Sequence, residues 1–338
     1  MPQSAIHYRS LGRTGVKISQ VSLGTMTFGN TTPEREAIRM IDMAIESGIN
    51  LIDTANIYNE GRSERIIGKA LTAHSKRSRM LVATKVHGSM DPHDPNAQGN
   101  SRRHLIEQCE ASLKRLHTDY IDLYQLHRPS SEVAIDETIR ALDDLIRQGK
   151  IRYFGTSTFA AWQVCETLWI SERLHLHRVV TEQPPYNLLD RRIERELVPF
   201  AQTHGLAILP WSPLAEGFLI GKYSLENTSF RRGRLARGTE WNPYIFSQQS
   251  FRVVDTLKQL AQAKGCAAGH IALAWCLNQP GITSPIIGPR TVQQLQENLL
   301  ATTVTLTRED HELLNTVSPP GHCLVPYYEA DFGPRPFL

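Results

Sequence analysis

The chain has 338 residues, 41% of them hydrophobic, and a formal net charge of +3. Length alone admits two domains, yet α/β barrels of this size form one, and the apolar fraction suffices for a large core. So balanced a charge argues against a nucleic-acid or membrane-surface binder, while its small positive excess suits an anionic cofactor.

Five scattered cysteines, Cys109, Cys165, Cys266, Cys276 and Cys323, lack any C-x-x-C spacing and read as reduced thiols, with no disulfide frame and no metal site. There is no apolar leader at residues 1–10 and no apolar run long enough to cross a bilayer, which predicts a soluble, cytoplasmic protein.

Residues 6–18 alternate polar and apolar around Gly12-Arg13-Thr14-Gly15 and predict a hairpin before the main fold. A rhythm follows. Gln20–Gly24 reads as strand, Thr32–Ser47 as amphipathic helix and Ile49–Asp53 as strand again. Helix over 63–74 precedes strand over 80–85; helix over 101–117 precedes strand over 120–126; helix over 134–148 precedes strand over 151–156. Helix over 160–173 leads to strand over 178–182, and helix over 191–204 to strand over 206–210.

A Gly-, Pro- and Arg-rich insertion runs from Trp211 to about Ser247. Helices over 250–264 and 267–278, strand over 282–287, and helices over 292–301 and 307–317 complete the pattern. The expected fold is a (β/α)8 TIM barrel with an N-terminal β-hairpin, extra helices and a C-terminal loop over the pocket. It is read as one domain over 1–338, with the hairpin at 6–18, the barrel at 20–301 and an extra helix and tail at 302–338.

Barrel chemistry belongs at the C-terminal strand ends. There the sequence places Gly24-Thr25-Met26, Asp53, Lys85, His127, Ser157, Gln183, Trp211 and Gly288, with Tyr58 five residues past Asp53. Singly, an Asp that braces a loop with a Tyr packed beside it is the commoner arrangement, and a lone His is as often structural as chemical. An acid, an amine and an imidazole on successive strands change that weighting. Lys85 ends an apolar strand, an expensive place for an ammonium without a carboxylate partner, and Asp53 lies one strand over. An ammonium about 4 Å from the Tyr58 phenol, at an effective dielectric near 20, would favour proton release by roughly 4 kcal/mol.

Several stretches carry a resemblance to the aldo-keto reductase family over nearly the whole chain. They are Val21–Met26, Gly48–Ala55 through Tyr58, Gly61–Glu64, Ala83-Thr84-Lys85, Asp119–Leu123 through His127, and Gly149–Arg152. The resemblance implies a catalytic tetrad of Asp53, Tyr58, Lys85 and His127. It also implies hydride transfer from a nicotinamide to a small-molecule carbonyl, with Tyr58 protonating the oxygen. For the cofactor it implies Gly24, Thr25 and Met26, then Ser157, Thr158 and Gln183 at the carboxamide, with Thr158 where the family commonly has Asn. Trp211 would stack on the ring, Ser212, Leu214 and Lys222 would wrap the pyrophosphate, and Gly288, Arg290, Gln294, Glu297 and Asn298 would hold the adenosine. Arg290 as a clamp for a 2′-phosphate would favour NADPH over NADH. Phe28, Tyr327 and Tyr328 are expected at the substrate pocket, the tyrosines from a tail that either caps the mouth or straps the side of the barrel.

No G-x-G-x-x-G follows a strand, so a Rossmann crevice is not expected. The arginines at 231, 232, 234 and 237 lack interleaved aromatics and read as a solvated loop. Two rival readings stay open: a cofactor-binding, redox-responsive regulatory subunit acting on a protein partner, and a lyase using Lys85 as a Schiff base, against which Asp53 argues. The oligomeric state is not readable.

Overall fold

The computed structural model describes residues 6–224, 235 and 242–327. Tyr328 and the four arginines of the insertion lie outside the described residues. Strands β1 (Tyr8–Ser10) and β2 (Lys17–Ser19) form an antiparallel hairpin. Eight parallel strands follow: β3 (Ser22–Gly24), β4 (Leu51–Asp53), β5 (Leu81–Val86), β6 (Ile121–Leu126), β7 (Ile151–Ser157), β8 (Thr181–Gln183), β9 (Ala207–Ile208) and β10 (Ile286–Ile287). They pair in chain order, with β10 returning beside β3. A parallel bridge between Ile208 and Ile282, with the Ile286 N–H donating to Pro210 O at 2.8 Å, joins the two ends. The result is a (β/α)8 barrel with an N-terminal hairpin, as expected.

Its helices are α1 (Glu34–Glu46), α2 (Arg62–Thr72), α3 (Arg102–Leu116), α4 (Ile135–Arg147), α5 (Ala161–Arg173) and α6 (Leu197–His204). After the insertion come α7 (Asn242–Ile245), α8 (Gln248–Lys264), α9 (Ala268–Asn278), α10 (Val292–Leu300) and α11 (Arg308–Val317). Ser101, Ser247, Thr291 and Thr307 cap their helices by accepting an N–H three residues on. The helix expected over 191–204 splits into a 3-10 turn (Arg192–Glu194) and α6. At the split, Arg191 turns inward to pair with Glu194 at 2.7 Å. The eighth strand is shorter than its apolar run, because Pro285 has no N–H for the ladder.

Alternation along the strands sorts the barrel interior into layers. Leu51, Ala83 and Leu123 form the lower layer, closed from below by Leu11 and Ile18 of the hairpin region. Two residues further along each strand stand Asp53, Lys85 and Gln125, in the register Lys85 opposite Gln125. The intervening residues, including Ile52, Val82, Tyr124, Leu126 and Phe154, face outward into the core shared with the helices. One period of two therefore takes the same strands from oil to charge.

Candidate active site

The ammonium of Lys85 is fully buried. It donates to Asp53 Oδ1 at 2.5 Å, to Thr54 O at 2.8 Å and to the Tyr58 hydroxyl at 3.3 Å. Burial by itself pulls its pKa down, but the Asp53 charge and the Tyr58 phenol more than reverse this, so it is held above its ordinary value. Asp53 is equally committed: Oδ2 accepts from Gln125 Nε2 at 3.1 Å and from Gln183 Nε2 at 2.8 Å. Because Tyr58 accepts from the ammonium, its own O–H is left to donate elsewhere.

The chain between β4 and α2 delivers Tyr58 through three consecutive left-handed residues, Asn59, Glu60 and Gly61. Asn59 Nδ2 donates to Met26 O and Phe28 O, which ties this loop to the one after β3. At Gly61 a Cβ would lie 2.6 Å from Arg115 Cδ, so both the positive φ and the close approach require glycine. His127 follows β6, and its ring meets Tyr58 edge-on with centroids 5.8 Å apart. Burial first, then Lys85 and Arg128, hold the His127 imidazole well below its ordinary value, so it is neutral near pH 7. Asp53, Tyr58, Lys85 and His127, read from three separate stretches, therefore share one site.

The residues expected to hold a cofactor line the same strand ends. Ser157 is buried and donates to Gln183 O at 2.9 Å. Thr158 is buried at φ +61°, where a β-branched residue pays roughly 1–2 kcal/mol. Gln183 turns Nε2 toward Asp53 and Gln125, so a carboxamide would meet its Oε1. Trp211 is half-buried and packs edge-on against fully buried Tyr327, at 5.3 Å and 71°. Phe28 is fully buried within the core, which takes its ring away from the open mouth. Thr25 is buried, with its hydroxyl on Asp53 O at 2.9 Å, Gly24 packs against β10, and Met26 is exposed at the rim.

Past Trp211 the backbone turns left-handed at Ser212, Ala215, Glu216 and Gly217. The turn closes on itself: the Ala215 N–H donates to Ser212 O and the Gly217 N–H to Leu214 O, each at 2.9 Å. Leu214 is half-buried within it, and Ser212 Oγ accepts the Glu216 N–H at 3.3 Å. Lys222 is exposed and its amine is held below its ordinary value by partial burial and then by repulsion from Arg290. Two cations that repel one another suit an anionic ligand. Arg290 N–H donates to Gln294 Oε1 at 2.9 Å at the start of α10, beside exposed Gly288, where an added Cβ would meet nothing. Glu297 accepts from Gln293 Nε2 at 3.1 Å and Asn298 is half-buried one turn on. Lys222 and Arg290 supply the positive charge that an anionic cofactor calls for.

The sequence reading missed Gln125, Arg128 and Glu182. Gln125 sits inside a run that reads as continuous core, and only its position two residues after Leu123 could have marked it as inward-facing. Arg128 Nη1 donates to His127 O at 2.6 Å and to Thr158 Oγ1 at 2.9 Å. Burial lowers its guanidinium to about 10. Glu182, fully buried and raised to about 8 by that burial, accepts the Phe159 N–H at 3.0 Å and the Thr156 hydroxyl. Among the described residues no cluster of His, Cys, Asp or Glu could hold a metal ion.

The family model described as "Aldo/keto reductase family" matches residues 20–319. The chain belongs to the aldo-keto reductase family. An uncharacterized oxidoreductase of Bacillus subtilis, YrpG, is 39% identical over 93% of this chain and 96% of its own. A probable voltage-gated potassium channel subunit beta of Oryza sativa subsp. japonica is 36% identical over 88% of this chain and 91% of its own. The versiconal hemiacetal acetate reductase of Aspergillus parasiticus is 34% identical over 91% and 96%. As an aldo-keto reductase the chain is an oxidoreductase of a family that generally uses nicotinamide cofactors, and a small-molecule carbonyl fits its site. No helix among the described residues is long and apolar enough to cross a membrane.

Proposed function

We propose that this aldo-keto reductase is an NADPH-dependent enzyme reducing aldehydes or ketones to alcohols, with Tyr58 as the general acid. The observation that carries the reading is the Lys85 ammonium donating to the Tyr58 hydroxyl at 3.3 Å while paired with Asp53 at 2.5 Å. A phenol whose oxygen accepts from an ammonium gives up its proton more readily, because the charge left behind is stabilised by that ammonium. Asp53 keeps the lysine charged, and Gln125 and Gln183 fix the carboxylate. Neutral His127 can donate an N–H to the same carbonyl oxygen and orient it. A reduced nicotinamide, when bound, supplies the hydride. Tyr58 then donates its proton to the developing alkoxide, and Lys85 stabilises the phenolate.

Lys222 and Arg290 support NADPH over NADH, because their mutual repulsion is relieved by an added phosphate. The strand-end residues would otherwise hold the cofactor, with Tyr327 bracing Trp211 and the rim around Met26 toward the substrate. None of the five cysteines is in a disulfide, in keeping with a reducing, cytoplasmic setting, and the barrel, hairpin and α11 are proposed to fold as one domain.

The test is nicotinamide absorbance with purified protein, a reactive aromatic aldehyde and either NADPH or NADH. Faster consumption of NADPH is expected, and Tyr58→Phe should lower kcat at least a hundredfold while still binding cofactor. Normal turnover by that variant would sink the proposed acid. The likeness to proteins named as probable potassium channel beta subunits supports a second reading, a cofactor-binding subunit acting on a protein partner. Tight NADPH binding without consumption would select it.

A further inference from the structure

Thr158 occupies a conformation that its own side chain disfavours, at φ +61° and with no exposure. Such a residue persists only where its surroundings over-determine it. The surroundings are specific. From above, Arg128 Nη1 donates to Thr158 Oγ1 at 2.9 Å and, at 2.6 Å, to the carbonyl of His127. From behind, the Thr158 N–H donates to Gln183 O at 3.2 Å, and the next N–H, of Phe159, to buried Glu182 at 3.0 Å. Arg128 is itself held: Asn100 Nδ2 donates to its carbonyl at 2.9 Å, and Asn100 Oδ1 meets His87 Nδ1 at 2.9 Å.

One guanidinium nitrogen thus joins the end of β6, which bears His127, to the turn after β7, which bears Ser157 and Thr158. We infer that Arg128 is a positioning residue that fixes the carboxamide-binding turn at Ser157-Thr158 relative to His127, and so aligns the nicotinamide end of the cofactor with the proton-donating groups. The inference rests on the proposed nicotinamide site. It differs from a general packing role in acting at one end of the cofactor only: the Lys222 and Arg290 end shares none of these hydrogen bonds.

The experiment compares two ligands on the intact protein, NADPH and 2′-phospho-ADP-ribose, which lacks the nicotinamide ring. Arg128→Met should raise the Kd for NADPH about tenfold, the loss of roughly one charge-assisted hydrogen bond, and leave that for 2′-phospho-ADP-ribose within twofold. Adding Thr158→Asn should recover most of the loss, because asparagine enters the left-handed region more readily and needs less holding. Should Arg128→Met fail to fold, Arg128→Lys keeps the charge on a shorter side chain that sets its nitrogen back from both acceptors, and should show the same split at about threefold. Unchanged NADPH affinity, or equal weakening of both ligands, overturns the inference. A wild-type protein that binds neither ligand would instead overturn the proposed cofactor.

Discussion

Asp53→Asn isolates the electrostatics of the site. The substitution keeps the shape but removes the charge opposite Lys85, whose ammonium is fully buried and 2.5 Å from Asp53. It also leaves three donors, from Lys85, Gln125 and Gln183, around a group that can no longer accept from all of them. Breaking a buried pair from one side costs about 3–5 kcal/mol. At ~2.1 cal/mol/K per residue over 338 residues, that lowers Tm by roughly 4–7 °C near pH 7.

The pH dependence carries the sharper test. In the wild type Lys85 is raised above 10.5, so its pairing contributes stability below that pH, lost only as the pH climbs through the raised value. In Asp53→Asn burial dominates and pulls the lysine below 10.5. The penalty is then full at neutral pH and shrinks toward pH 10.5, as the amine becomes free to be neutral in both states. Scanning calorimetry of both proteins from pH 6.5 to 9.5 should show the gap in Tm narrowing with rising pH. A gap under about 1 °C at pH 7, or one that widens toward alkaline pH, would refute the reasoning.

Two further outcomes follow from the same geometry. His127 is held below its ordinary value by burial and by two cations, so kcat/KM for carbonyl reduction should show no acid limb near pH 6.5. Such a limb, abolished by His127→Gln, would count against a neutral imidazole. Arg290→Ala should raise the KM for NADPH about tenfold and leave that for NADH nearly unchanged, since only the former carries the extra phosphate. Equal effects on both cofactors would remove the arginine from the 2′-phosphate.

Much of the barrel was readable because its physics is periodic. Alternation of helical and strand patterns gave eight units, and titratable groups on successive ends of apolar strands marked Asp53, Lys85 and His127, since burying such groups together is costly unless they act on one another. What failed to show were groups whose role depends on neighbours remote in sequence. Gln125 is an ordinary polar residue until the register sets it opposite Lys85 and beneath Asp53. Arg128 reads as loop until β6 and β7 are adjacent. Phe28 illustrates the converse, for an aromatic just past a strand end can turn into the core as well as toward the mouth, and here it does the former. Strand lengths erred where proline interrupted the ladder, as at Pro285, because apolar runs report burial and not pairing.

The hairpin at the bottom of the barrel has a bearing on how the chain should be handled. The family match begins at residue 20, yet Leu11 and Ile18 are buried against Leu51, Ala83 and Leu123. Gly12, at φ +57°, presses so closely on Val180 O and Gly205 O that a Cβ there would sit 2.9 and 2.8 Å from them. We expect a fragment trimmed to the matched boundary to bare the underside of the Leu51, Ala83 and Leu123 layer to water. We propose that the folding unit begins at the hairpin, ahead of the stretch that the family model recognises.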